Sequence, residues 1–109
     1  MSMDAVFRAL ADPVRRQLLD SLYARNGQTL NELCEGQEIT RQAVTKHLTI
    51  LQYANLVSTQ KRGREKLHYL NPVPISEIAD RWIDKYQRVH LQALAELKRT
   101  LEGEPDGPG

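Results

Sequence analysis

The chain has 109 residues, 40% of them hydrophobic and 27% charged, a composition that fits one modest globular domain. Its opening "MSMDAVFRAL" lacks the basic region and apolar run of a signal peptide, and no stretch nears the ~18 apolar residues of a membrane span. With Cys34 as the single cysteine, an internal disulfide framework is excluded and a reducing cytoplasm is expected.

A first short helix is expected from Asp4 to Ala11, with Val6, Phe7 and Leu10 on one side. In "ADPVRRQLLDSLYARNG", Asp12 can cap a second helix and Pro13 suits its first position, where a missing N–H costs nothing. Val14, Leu18, Leu19 and Leu22 form its apolar stripe, and Asn26-Gly27 is read as its stop. Thr29 and Glu32 have capping-box spacing, so "TLNELCEG" starts a third helix with Leu30, Leu33 and Cys34 inward and Gly36 at its end.

Thr40 then caps a fourth helix that runs to about Ala54, with Val44, Leu48 and Leu51 on one line. Two adjacent threonine-capped helices joined by a tight turn outline a helix-turn-helix. In "LVSTQKRGREKLHYLN" the period changes to two, which reads as a β-hairpin with a glycine at its reversal. Asn71-Pro72 and Pro74 are expected to end its second strand. From about Ile75 to Leu101 a long helix carries an apolar stripe over roughly 40 Å. A chain of this size cannot easily cover such a stripe alone, so a second copy is expected on it. The Gly-, Pro- and acid-rich end, 103–109, is read as disordered, leaving one domain over 1–102.

The net charge of +1 hides a strong asymmetry. Residues 41–70 carry six basic side chains against Glu65 alone, a local charge of +5, while the segments on either side each carry −2. Such a basic segment is the footprint expected for a polyanion. The polar side of the fourth helix has no acid. Gln42 suits adenine in bidentate fashion, Thr45 suits a base edge or a thymine methyl, and Arg41 and Lys46 suit guanine or phosphate. At the hairpin tip, Lys61, Arg62, Arg64 and Lys66 flank Gly63 and can reach phosphate or a minor groove.

In the stretches "FRALADPVRRQLLDSL", "TLNELCE", "TRQAVTKHLTILQYANLV" and "RGREKLHYLNP" the chain resembles the ArsR family of bacterial winged-helix transcription regulators. The resemblance covers about residues 5 to 100. It implies a mainly α fold (α+β): a winged helix-turn-helix with a two-stranded wing and N- and C-terminal dimerisation helices. The implied function is a homodimeric repressor on a pseudo-palindromic operator in double-stranded DNA. The expected DNA contacts are Thr40, Arg41, Gln42, Thr45, Lys46 and Thr49, with His47 at the margin, and Lys61, Arg62, Arg64 and Lys66. The expected dimer interface is Val6, Phe7, Leu10, Ile78, Trp82, Tyr86, Val89, Leu94 and Leu97.

The family's metal-sensing patterns fail. Where sensors that use the third helix carry a Cys-x-Cys pair, this chain has Thr29 and Asn31, and one thiol cannot build a closed site. The acid–His motif of the last helix is also missing, so no metal and no cofactor are expected. Trp82 and Tyr86, one helical turn apart, read first as packing and second as the wall of a pocket for a small apolar effector. Two other readings stand beside the regulator: a winged-helix module that grips an acidic protein surface, and a redox-responsive regulator using Cys34. No paired carboxylate, nucleophile motif or phosphate-binding glycine loop supports an enzyme.

Overall fold

The computed structural model of the chain describes residues 3–103. Five helices and a hairpin follow in the order α1 (Met3–Leu10), α2 (Pro13–Ala24), α3 (Leu30–Glu35), α4 (Arg41–Tyr53), β1 (Val57–Arg62), β2 (Glu65–Leu70) and α5 (Val73–Gly103). The described residues fall into two compact units, divided between Ser76 and Glu77. Of the expected disordered tail, Gly103 ends α5, and the rest lies outside the described residues.

In the first unit, capping sets the helix boundaries. Asp12 accepts from the N–H groups of Val14 (2.8 Å) and Arg15 (3.2 Å), with Pro13 opening α2. Desolvation pushes the Asp12 carboxyl up, but those two N–H bonds, helped by His47 and Arg15, hold it below its ordinary value. The capping box at α3 is complete: Thr29 Oγ1 accepts from Glu32 N–H, and the Glu32 carboxylate accepts from Thr29 N–H at 2.9 Å. Those bonds to Thr29, together with the nearby Arg25, hold the Glu32 carboxyl low against a small opposing desolvation. Thr40 caps α4 through Ala43 N–H. At its far end Asn55 takes the left-handed conformation (φ 64°), Leu56 N–H donates to Leu51 C=O, and Asn55 N–H donates to Gln52 C=O. This is a Schellman stop, and it delivers the chain directly into β1.

Two boundaries differ from the sequence reading. Asn26-Gly27 lies beyond the end of α2, whose last residue is Ala24 and whose C-cap, Arg25, is extended. Pro74 does not end the second strand but sits inside the first turn of α5. A proline is tolerated there because first-turn N–H groups have no helical acceptor. Just before the helix, Asn71 Oδ1 accepts from Val73 N–H at 3.3 Å, which satisfies one of those groups.

The core of this unit is one apolar cluster. Leu18 and Leu22 of α2, Leu33 of α3, Val44, Leu48 and Leu51 of α4, and Leu56 are its most deeply buried side chains, with Val6 and Ala9 of α1 and Val57 and Leu67 of the hairpin around them. The strands pair antiparallel, Val57 opposite Leu70 and Arg62 opposite Glu65. Gly63 (φ 64°), in the two-residue turn, supplies the left-handed conformation a tight reversal needs.

The second unit is α5 from Glu77 onward. Ile78 and Ala79 are half-buried, whereas Trp82, Ile83, Tyr86, Val89, Leu91, Leu94, Leu97 and Leu101 are exposed. Trp82 and Tyr86 lie with ring centroids 6.2 Å apart, and the Lys85 ammonium stands 5.7 Å from the Trp82 ring centre. Among the described residues no helix is long and apolar enough to cross a membrane.

Because Leu51 is fully buried where α4 meets the rest of the core, Leu51→Ala should cost about 2–5 kcal/mol. Urea unfolding should show this as a lower midpoint at an unchanged slope.

Candidate nucleic-acid interface

Burying Val44, Leu48 and Leu51 forces the opposite side of α4 outward: Arg41, Gln42, Thr45, Lys46 and Thr49 are all exposed. Their hydrogen bonds define what each can still do. Thr45 Oγ1 donates to Arg41 C=O and Thr49 Oγ1 to Thr45 C=O, both at 3.0 Å. With the hydroxyl proton given to the preceding turn, each threonine presents an acceptor lone pair and a methyl group. Those are the groups that meet an exocyclic amine or a thymine methyl. The Arg41 guanidinium donates to Asn31 Oδ1 on α3. Gln42 and Lys46 border a shallow open hollow on the same side with Ala43 and Thr45.

The expected helix contacts therefore share one face, with two corrections. The Thr40 side chain is engaged as the cap of α4. His47 is half-buried and accepts from the Arg15 guanidinium at 3.1 Å through Nδ1, so it is tied to α2. Its place beside the apolar stripe brings it within reach of α2. Val6 is corrected among the interface residues, because at 3% exposure it belongs to the chain's own core. Phe7 is 44% exposed, and Leu10 is half-buried.

Between α3, α4 and the hairpin lies an open cleft of about 350 Å³. Arg41, Thr45, Thr49 and Gln52 line it from α4, Asn31 from α3, and Arg64, Glu65, Lys66 and His68 from the hairpin side. Recognition helix and wing thus face a common space. The register of the hairpin adds a second electrostatic fact. Lys61 lies directly opposite Lys66, a like-charge pair that opposes strand pairing, and Arg62 lies opposite Glu65. A fold that carries such a repulsion at an exposed tip is relieved when an anion approaches.

The wing is held in place by residues that sequence reasoning missed. Gln28 and His68 form an isolated β-bridge between the α2–α3 connector and β2. His68 N–H donates to Gln28 C=O at 2.8 Å, while Gly27 and Gln28 N–H groups donate to His68 C=O at 2.9 and 3.2 Å. The buried His68 ring adds a Nδ1–H bond to Gln28 C=O at 2.9 Å. The Gln28 side-chain amide, itself buried, donates to Ser21 C=O and Arg25 C=O at 2.9 and 2.7 Å. Asn26 Oδ1 accepts from Leu70 N–H at 2.8 Å. Asn26-Gly27, read as a helix stop, is the seat of the wing instead. Gly27 (φ 80°) lies so close to Tyr69 that an added Cβ would come within 3.2 Å of its ring. In the sequence His68 stands at a polar position between Leu67 and Tyr69, so strand alternation gives no sign of its burial.

A helix-turn-helix domain family (HTH_20) matches residues 10–60 of the chain. The uncharacterised HTH-type transcriptional regulator YuzN of Bacillus subtilis is 39% identical over 87 residues, covering 74% of this chain and 95% of that protein. The chain belongs to the ArsR-like family of winged helix-turn-helix transcriptional regulators. The transcriptional repressor SdpR of the same organism is 31% identical over 75 residues, 69% of this chain and 82% of that protein. An ArsR-like transcriptional regulator from Rhodococcus sp. RHA1 superposes with a TM-score of 0.71 at 31% identity, over 89% of this chain and 90% of that one. The mainly α winged helix-turn-helix architecture expected from the sequence is the one observed, and its function is that of a DNA-binding transcriptional regulator.

Within the family this chain uses its third helix differently from the thiolate sensors. Thr29 is taken up in the capping box and Asn31 holds Arg41, so both positions serve the packing and bonding of α3 and α4. Among the described residues no three His, Cys, Asp or Glu side chains converge as a metal-ligand set. Cys34 is a half-buried free thiol on the same helix.

Burial pulls the His68 imidazole below the ordinary histidine value and Lys66 adds to this, against the opposing bond to Gln28. The unfolded chain therefore takes up this proton first as pH falls. Stability tied to His68 is complete above the ordinary histidine value of 6.5 and is lost as pH drops below it toward the folded value. Urea midpoints should fall between about pH 7.5 and 5.5 in the wild type, and this fall should be smaller in His68→Gln.

Proposed function

We propose that this regulator is a homodimeric repressor that reads a pseudo-palindromic operator with α4 and grips the flanking backbone with the β1–β2 wing. The observation that carries the reading is the shared cleft: Arg41, Thr45 and Thr49 of α4 open onto one space with Arg64 and Lys66 of the hairpin, Glu65 lying between those two in sequence. Gln42 and Thr45 are the base-reading residues, with Arg41, Lys46 and Thr49 beside them. Lys61, Arg62, Arg64 and Lys66 neutralise phosphates. Base edges specify and phosphates position, so the two groups have separable effects.

Self-association is supported by α5, which exposes Trp82, Tyr86, Val89, Leu94 and Leu97 along one helix. Exposed apolar area of that extent marks an interaction surface. Phe7 and Leu10 of α1, and Ile78 of α5, complete the proposed set of interface residues. In a two-fold dimer the recognition helices enter successive major grooves, with half-sites about 34–36 Å apart as in dimeric helix-turn-helix proteins generally. Repression is supported by the similarity to SdpR, itself a transcriptional repressor.

Replacing Gln42 and Thr45 together by alanine should weaken binding to the selected operator by about tenfold or more per half-site, with non-specific binding nearly unchanged. Equal loss on operator and scrambled duplex in a gel shift would sink the base-reading assignment. A chain that binds scrambled DNA no less tightly than any selected site would favour the acidic-protein-surface reading instead. Changing Lys61 and Lys66 to methionine should flatten the salt dependence of binding by about 0.9 in log–log slope per charge removed. For the interface, Trp82→Glu combined with Leu94→Glu in the full chain should sediment as a folded monomer.

A further inference from the structure

α1 ends at Leu10, so its last carbonyls lack helical partners. Two consecutive arginines in the first turn of α2 satisfy them from outside. Arg16 donates to Leu10 C=O at 2.7 Å. Arg15 does more: its Nε donates to Ala9 C=O at 2.8 Å and its Nη2 to Arg8 C=O at 2.9 Å. The third nitrogen, Nη1, donates to His47 Nδ1 at 3.1 Å. Arginine has only donors, so His47 must present its lone pair at Nδ1 and carry its proton on Nε2. One planar guanidinium thereby joins the end of α1 to the middle of α4, a geometry the single ammonium of a lysine cannot reproduce.

Apolar packing does not close this junction. Beside the guanidinium lies an open cavity of about 330 Å³ lined by Ala5, Arg8, Arg15, Thr49, Ile50 and Tyr53. Val6 and Ala9 anchor α1 in the core, while on the cavity side the Arg15 fork makes the polar link between α1 and α4. His47 sits one residue from Lys46 and two from Thr45, so a rotation of α4 about its axis moves the DNA face and the His47 anchor together.

We propose that Arg15 is a positioning residue for operator recognition, and that its fork to His47 sets the placement of the recognition helix relative to α1. The inference rests on the dimeric reading above. With α1 part of the interface between copies, the Arg15–His47 link ties each recognition helix to the dimer axis, and the spacing between half-sites is read through it. A link that served stability alone would change the melting temperature and weaken binding to every duplex alike.

The test uses the full chain and three DNA duplexes: the sequence the wild type selects from a random pool, the same sequence with one base pair inserted between its half-sites, and one half-site alone. The insertion moves the half-sites apart by about 3.4 Å. The wild type should prefer the selected duplex to the inserted one by about tenfold or more. In Arg15→Met and in His47→Leu that preference should fall below about threefold, with half-site affinity within about twofold of wild type. His47→Asn, which returns an acceptor close to the Nδ1 position, should restore the preference. Where Arg15→Met does not fold, the His47→Leu and His47→Asn pair carries the comparison. Wild-type spacing preference in a folded Arg15→Met or His47→Leu chain would overturn the proposal, as would equal weakening on all three duplexes. A wild type that binds selected and inserted duplexes equally overturns the dimeric operator reading first, and this inference with it.

Discussion

The winged architecture depends on a short polar seam between Gln28 and His68. A two-stranded hairpin is marginal by itself and needs another element to hold it. Here β2 is fastened to the α2–α3 connector by three backbone bonds and by the buried histidine ring, while the buried Gln28 amide fixes that connector to α2. Buried polar groups are tolerated only when their partners are complete. The His68 ring bonds the Gln28 C=O and the Gln28 amide bonds Ser21 and Arg25, so the seam ties the wing to the helix-turn-helix. The cleft shared by α4 and the wing exists because this seam sets the distance between them.

On that frame the functional surface is arranged against folding stability. Lys61 faces Lys66 across the hairpin, and the α4 face gathers Arg41 and Lys46 without an acid to balance them. Neither arrangement helps the isolated chain. Both make sense for a surface whose partner is DNA, where each neutralised phosphate releases counterions. The threonines of α4 show the complementary economy: the hydroxyl protons of Thr45 and Thr49 are bonded within the helix, so they present acceptors and methyl groups outward. The Arg41–Asn31 bond fixes a long, otherwise mobile cation at the edge of that surface, which lowers the entropy lost when it binds.

Much of this was legible in the chain itself. The caps at Asp12, Thr29 and Thr40 were readable because a short polar side chain before an apolar period acts on N–H groups within three residues of it. The recognition face was readable because helical periodicity assigns Val44, Leu48 and Leu51 inward and leaves the others outward. Three assignments failed for a common reason. Asn26-Gly27 reads as a local stop but seats β2 over a long range, and His47, a marginal contact by its place beside the apolar stripe, is held by Arg15. Val6 was assigned to an interface and proved to be core. Each depends on partners 30 or more residues away or on which face of α1 meets α2 and α4, and spacing carries no information about either.

The sequence by itself determined the element order, the inward stripes and the concentration of positive charge in residues 41–70, because local bonding, periodicity and charge are properties of neighbours along the chain. Only the tertiary structure decided which polar residues remain available to DNA. Arg15, Gln28, Asn31, His47 and His68 are ordinary polar residues in the sequence. Folding brings each to a specific donor or acceptor elsewhere in the chain.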